Sequence, residues 1–146
     1  LQRMGIPFII VERNSRRVDE LKTLGFPVLF GDAEKEIILE AAEVGKSMLL
    51  LITTPVALIS RIIVEHAKKL NPAIKIIARA EGIEEMQGSH DQGVSLVVQP
   101  EFEASLEVAR QALLHLDVPM DLIRQYTDEV REELYRPLYK DWQKDK

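Results

Sequence analysis

A carboxylate and two further polar residues, Glu12, Arg13 and Asn14, directly follow the apolar run at residues 7–11. The run is rich in β-branched side chains, which is typical of a buried strand, so the polar residues mark the carboxyl end of that strand. A carboxylate at such a position can accept hydrogen bonds from both hydroxyls of a ribose. Glu12 could equally be a solvated residue that begins a loop, and both interpretations stay open at this point.

The segment Gly31-Asp32-Ala33 follows the next apolar run, residues 28–30. Gly31 permits a tight turn of the backbone, and Asp32 can either hold the loop or meet the amino group of an adenine. An ordinary turn is the alternative. For this segment in isolation, the ordinary turn is the favoured interpretation.

Two later runs end in residues that could also meet a ligand. Thr53 and Thr54 are small hydroxyl residues, and Pro55 after them suits the first turn of a helix, so backbone amides there could approach a ligand. A simple helix cap explains these residues equally well. Arg79 follows the run at residues 75–78 and could face phosphates, although an exposed or ion-paired Arg is the commoner case.

The candidate residues can share one site only if the strands that precede them end close together. Apolar runs predict five strands, at residues 7–11, 28–30, 48–52, 75–78 and 94–98. Apolar residues at helical spacing separate these runs, which indicates βαβ units in a parallel sheet and an α/β fold. In an open parallel sheet ligands bind at the carboxyl ends of the strands, which is where all four candidate segments lie.

Helix start and stop residues support this alternation. Asn14 or Ser15 can cap the first helix and Gly25 can end it. A second helix should end near Gly45, a third should run from Pro55 to Asn71, and a shorter one should cover residues 83–87. Pro100 should begin a long helix that continues to Leu116.

The section from Pro119 onward has a different character. Leu122, Ile123, Tyr126 and Val130 recur at helical spacing among charged residues. Further apolar and ring-bearing residues follow at positions 135, 137, 139 and 142. This amphipathic segment has no strand of its own to cover, which indicates a partner surface.

Composition narrows the possible functions. The formal net charge of -5 opposes binding to a phosphate backbone, so nucleic acid is not an expected partner. The absence of Cys excludes disulfides and thiolate metal sites and is compatible with a reducing cytosol. The longest aliphatic run, residues 48–52, is far shorter than the roughly 20 residues that span a bilayer.

Taken together and in this order, the segments resemble the RCK or KTN domain, also called the TrkA N-terminal domain, of Kef-type antiporters and related potassium transport systems. The resemblance extends from Ile6 to about Val118. It rests on the segments 5–12, 17–21 with Gly25, 30–33, 39–42, 76–80 and 100–107. The acidic strand end followed at this separation by Gly-Asp-Ala is its most specific part.

The resemblance implies a Rossmann-like, doubly wound parallel sheet that binds an adenine nucleotide, which would be NAD(H), AMP or ATP. It implies that Glu12 binds the adenosine ribose and that Asp32 and Ala33 line the adenine pocket. Thr53 and Thr54 would border the ligand. Arg13, Asn14, Gly31 and Arg79 complete the set of expected cofactor-binding residues.

The sequence departs from the family pattern at its start. The family begins with a strand and a G-x-G-x-x-G loop whose amides cradle phosphates, and neither is present in this chain. In a doubly wound sheet that strand lies between the first and third strands seen here. We therefore expect an incomplete nucleotide-binding domain at residues 1–118 and a helical extension at residues 119–146.

The leading functional hypothesis is a cytoplasmic regulatory domain at the inner face of the membrane. It would form a homodimer and gate a membrane-embedded potassium channel or potassium/proton antiporter according to nucleotide occupancy. An NAD-dependent oxidoreductase fragment is one alternative, since the same fold hosts hydride transfer. A dimerisation scaffold with a vestigial pocket is the other.

Neither a catalytic residue nor a metal site is expected. His66, His90 and His115 are scattered and have no metal or triad spacing. Glu103 and Glu107, with Glu101 nearby, could bind a divalent cation, but a solvated helix face is the favoured interpretation. The expectation is a binding module rather than an enzyme.

Overall fold

The strands are all paired in parallel. The computed structural model describes residues 1–136, and within them backbone hydrogen bonds join five strands into two sheets. The strands are β1 (Ile10–Glu12), β2 (Val28–Phe30), β3 (Leu49–Ile52), β4 (Lys75–Arg79) and β5 (Leu96–Val98). β1 pairs with β2, and β4 lies between β3 and β5. The prediction of parallel strands in these five regions is confirmed.

Several predicted strand boundaries were wrong because hydrogen-bonded pairing, rather than the apolar run, sets each length. The strand predicted at residues 7–11 begins only at Ile10, whose N–H donates to the carbonyl of Pro27 at 2.9 Å. The strand predicted at residues 94–98 begins at Leu96. Val94 instead donates its N–H to the carbonyl of Ser89, 3.2 Å away near the end of the preceding helix.

Six α-helices lie between and after the strands in the described part of the chain. They are α1 (Ser15–Thr23), α2 (Glu36–Ala41), α3 (Ala57–Leu70), α4 (Ile83–Asp91), α5 (Pro100–His115) and α6 (Met120–Tyr135). α4 extends beyond the predicted residues 83–87. Among residues 1–136 no helix combines the length and the apolar character needed to cross a bilayer.

The predicted ends of α1 and the predicted start of α5 are confirmed. Asn14 is the N-cap of α1, and its side chain accepts a hydrogen bond from the backbone N–H of Arg17 at 3.2 Å. Gly25 follows the helix with φ of 77°, a left-handed conformation that glycine adopts at low cost. Pro100 occupies the first turn of α5, where its missing N–H leaves no intrahelical bond unmade.

The prediction that Pro55 lies in the first turn of the third helix was wrong. Val56 is the N-cap, its carbonyl accepts the N–H of Ser60 at 3.0 Å, and α3 begins at Ala57. Pro55 therefore lies in the bend before the helix. The hydroxyl of Thr54 accepts the N–H of Val56 at 3.4 Å, which helps to hold that bend.

The core lies around α2, α3, α4 and the β3–β4–β5 sheet. Ala67, Ile76 and Met86 have no exposed surface. Val11 and Leu29, from the β1–β2 pair, pack against the same cluster of buried residues. The two sheets therefore share one hydrophobic core.

The last two helices form a hairpin. A turn that includes Asp117, with a left-handed φ of 57°, separates α5 from α6. Ile123 is completely buried, and the ring of Tyr135 meets that of Phe102 edge-on with centroids 5.8 Å apart. The predicted amphipathic helix is confirmed, but its apolar side packs partly on α5. The ring-bearing residues predicted at positions 139 and 142, and Pro137, lie outside the described residues.

Four strand edges are unpaired among residues 1–136, and the edges of β1 and β3 are two of them. β1 pairs only with β2, and β3 pairs only with β4. Leu49 and Leu51 in β3 are 45% and 47% exposed, which is high for aliphatic residues of a parallel sheet. Met48, which was predicted to lie in this strand, precedes it and is 88% exposed.

Candidate functional site

Glu12 lies at the carboxyl end of β1, next to the turn that follows β2. The register places Glu12 opposite Phe30, and the N–H of Gly31 donates to the carbonyl of Glu12 at 3.0 Å. The Glu12 side chain accepts the N–H of Asn14 through Oε1 at 2.8 Å. Its Oε2 makes no hydrogen bond within residues 1–136, so one carboxylate oxygen stays available to a ligand hydroxyl.

The Gly31-Asp32-Ala33 segment forms a tight turn beside Glu12. Asp32 accepts the N–H of Glu34 through Oδ1 at 3.1 Å, so its side chain holds the loop. Ala33 packs against the hydrophobic core. The ordinary-turn interpretation thus has direct support, and the backbone of the turn is joined to that of Glu12.

The physical reason for glycine at position 31 differs from the predicted one. Gly31 does not have a left-handed φ. A Cβ added to Gly31 would instead lie 2.7 to 3.0 Å from side-chain carbons of Ile38 in α2. Close packing of the helix on the turn, rather than backbone freedom, disfavours a side chain here.

Thr53, Thr54 and Arg79 lie at the carboxyl ends of β3 and β4. The register pairs Ile52 with Ala78, so Thr53 follows beside Arg79. Thr53 is exposed and Thr54 is half-buried. Arg13, by contrast, is exposed in the loop after β1, where none of its contacts points to a ligand role.

Arg79 extends β4 one residue beyond its predicted end and is held by carboxylates. Its Nη2 lies 3.0 Å from Oε1 of Glu101 in α5 and 3.9 Å from Oε1 of Glu81. Its Nε is buried and has no hydrogen-bond partner within the described residues. The commoner alternative, an ion-paired Arg, is therefore what the structure shows.

The candidate residues fall into two groups. Glu12 and the turn at Gly31 belong to the β1–β2 pair, whereas Thr53, Thr54 and Arg79 belong to the other sheet. Among residues 1–136 no strand joins β1 to β3. Each group lies at the carboxyl ends of its strands, as the parallel pairing requires.

A third loop, at Gln99, also lies at a carboxyl strand end and was missed from the sequence. The Gln99 side chain donates to the carbonyl of Glu81 at 3.1 Å, and its backbone N–H donates to the hydroxyl of Tyr135 at 3.3 Å. The Tyr135 hydroxyl donates to Oε1 of Glu103 at 3.2 Å. Gln99 directly follows β5, so the same strand-end rule could have found it.

The acidic residues of α5 are engaged by basic partners. Glu103 accepts a hydrogen bond from Arg131 at 2.9 Å. Hydrogen bonds from Arg110 and Gln111 lower the pKa of Glu107 to about 2. In the described part of the chain no three His, Cys, Asp or Glu side chains are grouped so that they could hold a metal ion.

The comparisons with known proteins identify the family. The family model described as the TrkA-N domain matches residues 1–100. The chain belongs to the TrkA-N domain family. The resemblance inferred from the sequence is thereby confirmed, together with the Rossmann-like α/β fold.

Inner membrane protein YbaL of Escherichia coli is one relative of this TrkA-N domain. It is 34% identical over 114 residues, which cover 78% of this chain and 20% of YbaL. The crystal structure of the YbaL TrkA-N domain superposes with a TM-score of 0.68 at 32% identity, covering 80% of this chain and 82% of that one.

Kef proteins are also similar to the domain. The glutathione-regulated potassium-efflux system protein KefC of Enterobacter sp. is 27% identical over 137 residues, covering 89% of this chain and 22% of KefC. The Kef CTD of Shewanella denitrificans in its AMP-bound form has a TM-score of 0.73 at 23% identity, covering 91% and 95% of the two chains. The chain spans about a fifth of the length of YbaL and KefC.

Gly31→Ala tests whether the turn depends on the contact with Ile38. We expect the substitution to lower the free energy of unfolding by about 1–3 kcal/mol, the usual range for overpacking. Chemical denaturation measures this change. In an Ile38→Ala background the cost of Gly31→Ala should be smaller, because the atoms in conflict are absent, and a double-mutant cycle measures this difference.

Gly88→Ala is the matched control, since a Cβ at Gly88 in α4 would meet nothing within 4 Å. It should be neutral or should stabilise the domain by up to about 1 kcal/mol. Equal destabilisation by the two substitutions would contradict the packing explanation.

Proposed function

We propose that this TrkA-N domain binds an adenine nucleotide at the carboxyl ends of its strands. The observation that carries the proposal is the backbone hydrogen bond that joins Glu12 to the turn at Gly31, since it brings an acidic strand end and the turn together. A carboxylate oxygen that makes no hydrogen bond within the described residues suits a ribose hydroxyl. AMP, ATP and NAD(H) are the candidate ligands, and the AMP-bound form of the similar Kef CTD supports this choice.

In this arrangement Glu12 binds the ribose, and Asp32 and Ala33 line the adenine pocket. One carboxylate oxygen of Asp32 accepts a hydrogen bond from the backbone N–H of Glu34, so the backbone of the turn stays fixed when the base binds. Thr53 and Thr54 border the ligand from the other sheet. Arg79 supplies the positive charge for a phosphate.

We further propose that one more strand completes this domain between β1 and β3, and that a glycine-rich loop after it cradles the phosphates. The unpaired edges of β1 and β3 and the half-exposed Leu49 and Leu51 support this completion. Residues 1–118 then form the nucleotide-binding domain, and residues 119–146 form its helical extension. A parallel strand in the gap would join the two groups of candidate residues into one site.

The proposed regulatory role is supported by the proteins that contain similar domains. KefC is a potassium-efflux system protein, and YbaL is an inner membrane protein. The proposed domain lies in the cytoplasm at the inner face of the membrane and gates a potassium channel or potassium/proton antiporter, without catalysing a reaction itself. Nucleotide occupancy can gate the transport protein only if the ligand binds one arrangement of the domains more tightly than another.

A second copy of the chain is the proposed partner of the α5–α6 hairpin. A groove of about 430 Å³ lies between these helices, and its lining includes Ala109, Leu113, Leu122 and Tyr126. Tyr126 remains 49% exposed and Leu122 53% exposed. A two-fold pair through residues 102–116 and 123–139 would cover this apolar surface and bury a total of more than about 1,200 Å². Residues 137–139 of that interface lie outside the described residues.

Replacement of Glu12 tests the nucleotide site. In the intact protein, Glu12→Ala should weaken binding of AMP by about 1–3 kcal/mol, because the ribose loses charged hydrogen bonds. Isothermal titration calorimetry measures the affinity. Glu12→Gln keeps an acceptor for the N–H of Asn14, so it separates loss of charge from loss of loop structure.

Glu40→Ala is the control, since Glu40 is exposed on α2 and outside the candidate site. It should leave the affinity for AMP unchanged. Unaltered affinity after both Glu12 substitutions would count against the ribose role.

Charge in the hairpin groove tests the dimer. Leu113→Asp should shift the sedimentation profile toward monomer or unfold the domain, because an unpaired carboxylate cannot be buried at low cost. Tyr126→Asp should give monomer without unfolding, since half of that side chain already contacts solvent. Leu24 follows α1 and is 67% exposed, so Leu24→Asp should leave the dimer intact. A wild-type protein that sediments as a monomer at high micromolar concentration would refute the pairing.

A further inference from the structure

The guanidinium of Arg79 links the end of β4 to the first turn of α5. Its Nη2 donates to Oε1 of Glu101 at 3.0 Å. The Glu101 side chain is 59% exposed and that of Arg79 is 31% exposed. Ion pairs with this much solvent contact are weak, so another anion can displace Glu101 at modest cost.

The ion pair leaves Arg79 incompletely satisfied. Its Nε is buried and has no hydrogen-bond partner in residues 1–136, and a buried donor without an acceptor is costly. A guanidinium presents several donors in a planar fork that matches the oxygens of a phosphate. A phosphate can therefore offer Arg79 more than the single hydrogen bond that Glu101 provides.

We propose that Glu101 competes with the ligand phosphate for Arg79, and that nucleotide binding releases the first turn of α5 from β4. The proposal rests on the nucleotide-binding function proposed above. Glu101 thereby sets the affinity for the phosphate without touching the nucleoside. It lowers that affinity by neutralising Arg79 in the unliganded domain.

The released turn is connected to the end of α6. Gln99, immediately before α5, donates its N–H to the hydroxyl of Tyr135 at 3.3 Å. Glu103, two residues after Glu101, accepts hydrogen bonds from Tyr135 at 3.2 Å and from Arg131 at 2.9 Å. A shift of the first turn of α5 thus changes contacts that hold the hairpin proposed to form the dimer.

A different role for Glu101 would give the opposite result on mutation. If Glu101 only positioned Arg79 for the ligand, its loss would misplace the guanidinium and weaken phosphate binding. If Glu101 competes, its loss frees Arg79 and strengthens phosphate binding. The direction of the change in affinity separates the two roles.

Glu101→Gln in the intact protein is the test, with AMP and adenosine as probes in titration calorimetry. We expect AMP to bind about two- to five-fold more tightly, which corresponds to the strength of an exposed ion pair. Adenosine lacks the phosphate, so its affinity should not change. Glu84→Gln removes the same charge from an exposed position in the first turn of α4, and it should alter neither affinity.

Arg79→Gln completes a double-mutant cycle. It should weaken binding of AMP by about tenfold or more, and Glu101→Gln should have no further effect in that background. Unchanged or weaker AMP binding by the single Glu101→Gln variant, with wild-type affinity for adenosine, would overturn the competition while leaving the nucleotide site intact. A wild-type protein that binds none of AMP, adenosine, ATP and NADH would overturn the proposed function as well.

Discussion

Parallel pairing places the carboxyl ends of neighbouring strands at one edge of a sheet, and every candidate ligand contact in this domain depends on that constraint. In the first sheet it places Glu12 opposite Phe30 and beside the turn at Gly31. In the second sheet it places Thr53 beside Arg79. A register slip of one residue would turn these side chains to the opposite face, so the site exists only while the buried faces of the strands hold their register.

The helix α5 connects the candidate site with the candidate interface. Its first turn supplies Glu101 to Arg79, and its last turn supplies Leu113 to the apolar groove against α6. Tyr135 closes the hairpin by bonding back to the start of α5. In the proposed regulation, α5 links the contact at Arg79 with the distant groove.

The sequence alone was sufficient for the type and order of the elements, because apolar runs and helical periodicities reflect burial directly. The residues at which strands begin and end were harder to predict, since they depend on which hydrogen-bond partner each backbone group finds. Val94, for example, donates its N–H to Ser89 instead of pairing with a neighbouring strand. The pairing of Arg79 with Glu101 joins residues 22 positions apart and arises only from the tertiary fold. Gly31 was predicted to permit a tight turn, whereas the close packing of Ile38 against it was not foreseen, because no local pattern indicates that approach.

Thermal unfolding of the intact protein in the presence of AMP, ATP or NADH tests the central claim most directly. A ligand that binds only the folded state stabilises it by about 2.7 kcal/mol at a concentration one hundred times its Kd. Nucleotide binding at the strand ends predicts that at least one of the three raises the melting temperature and that NADH is not consumed. A melting temperature that none of them changes, or steady oxidation of NADH, would contradict the account.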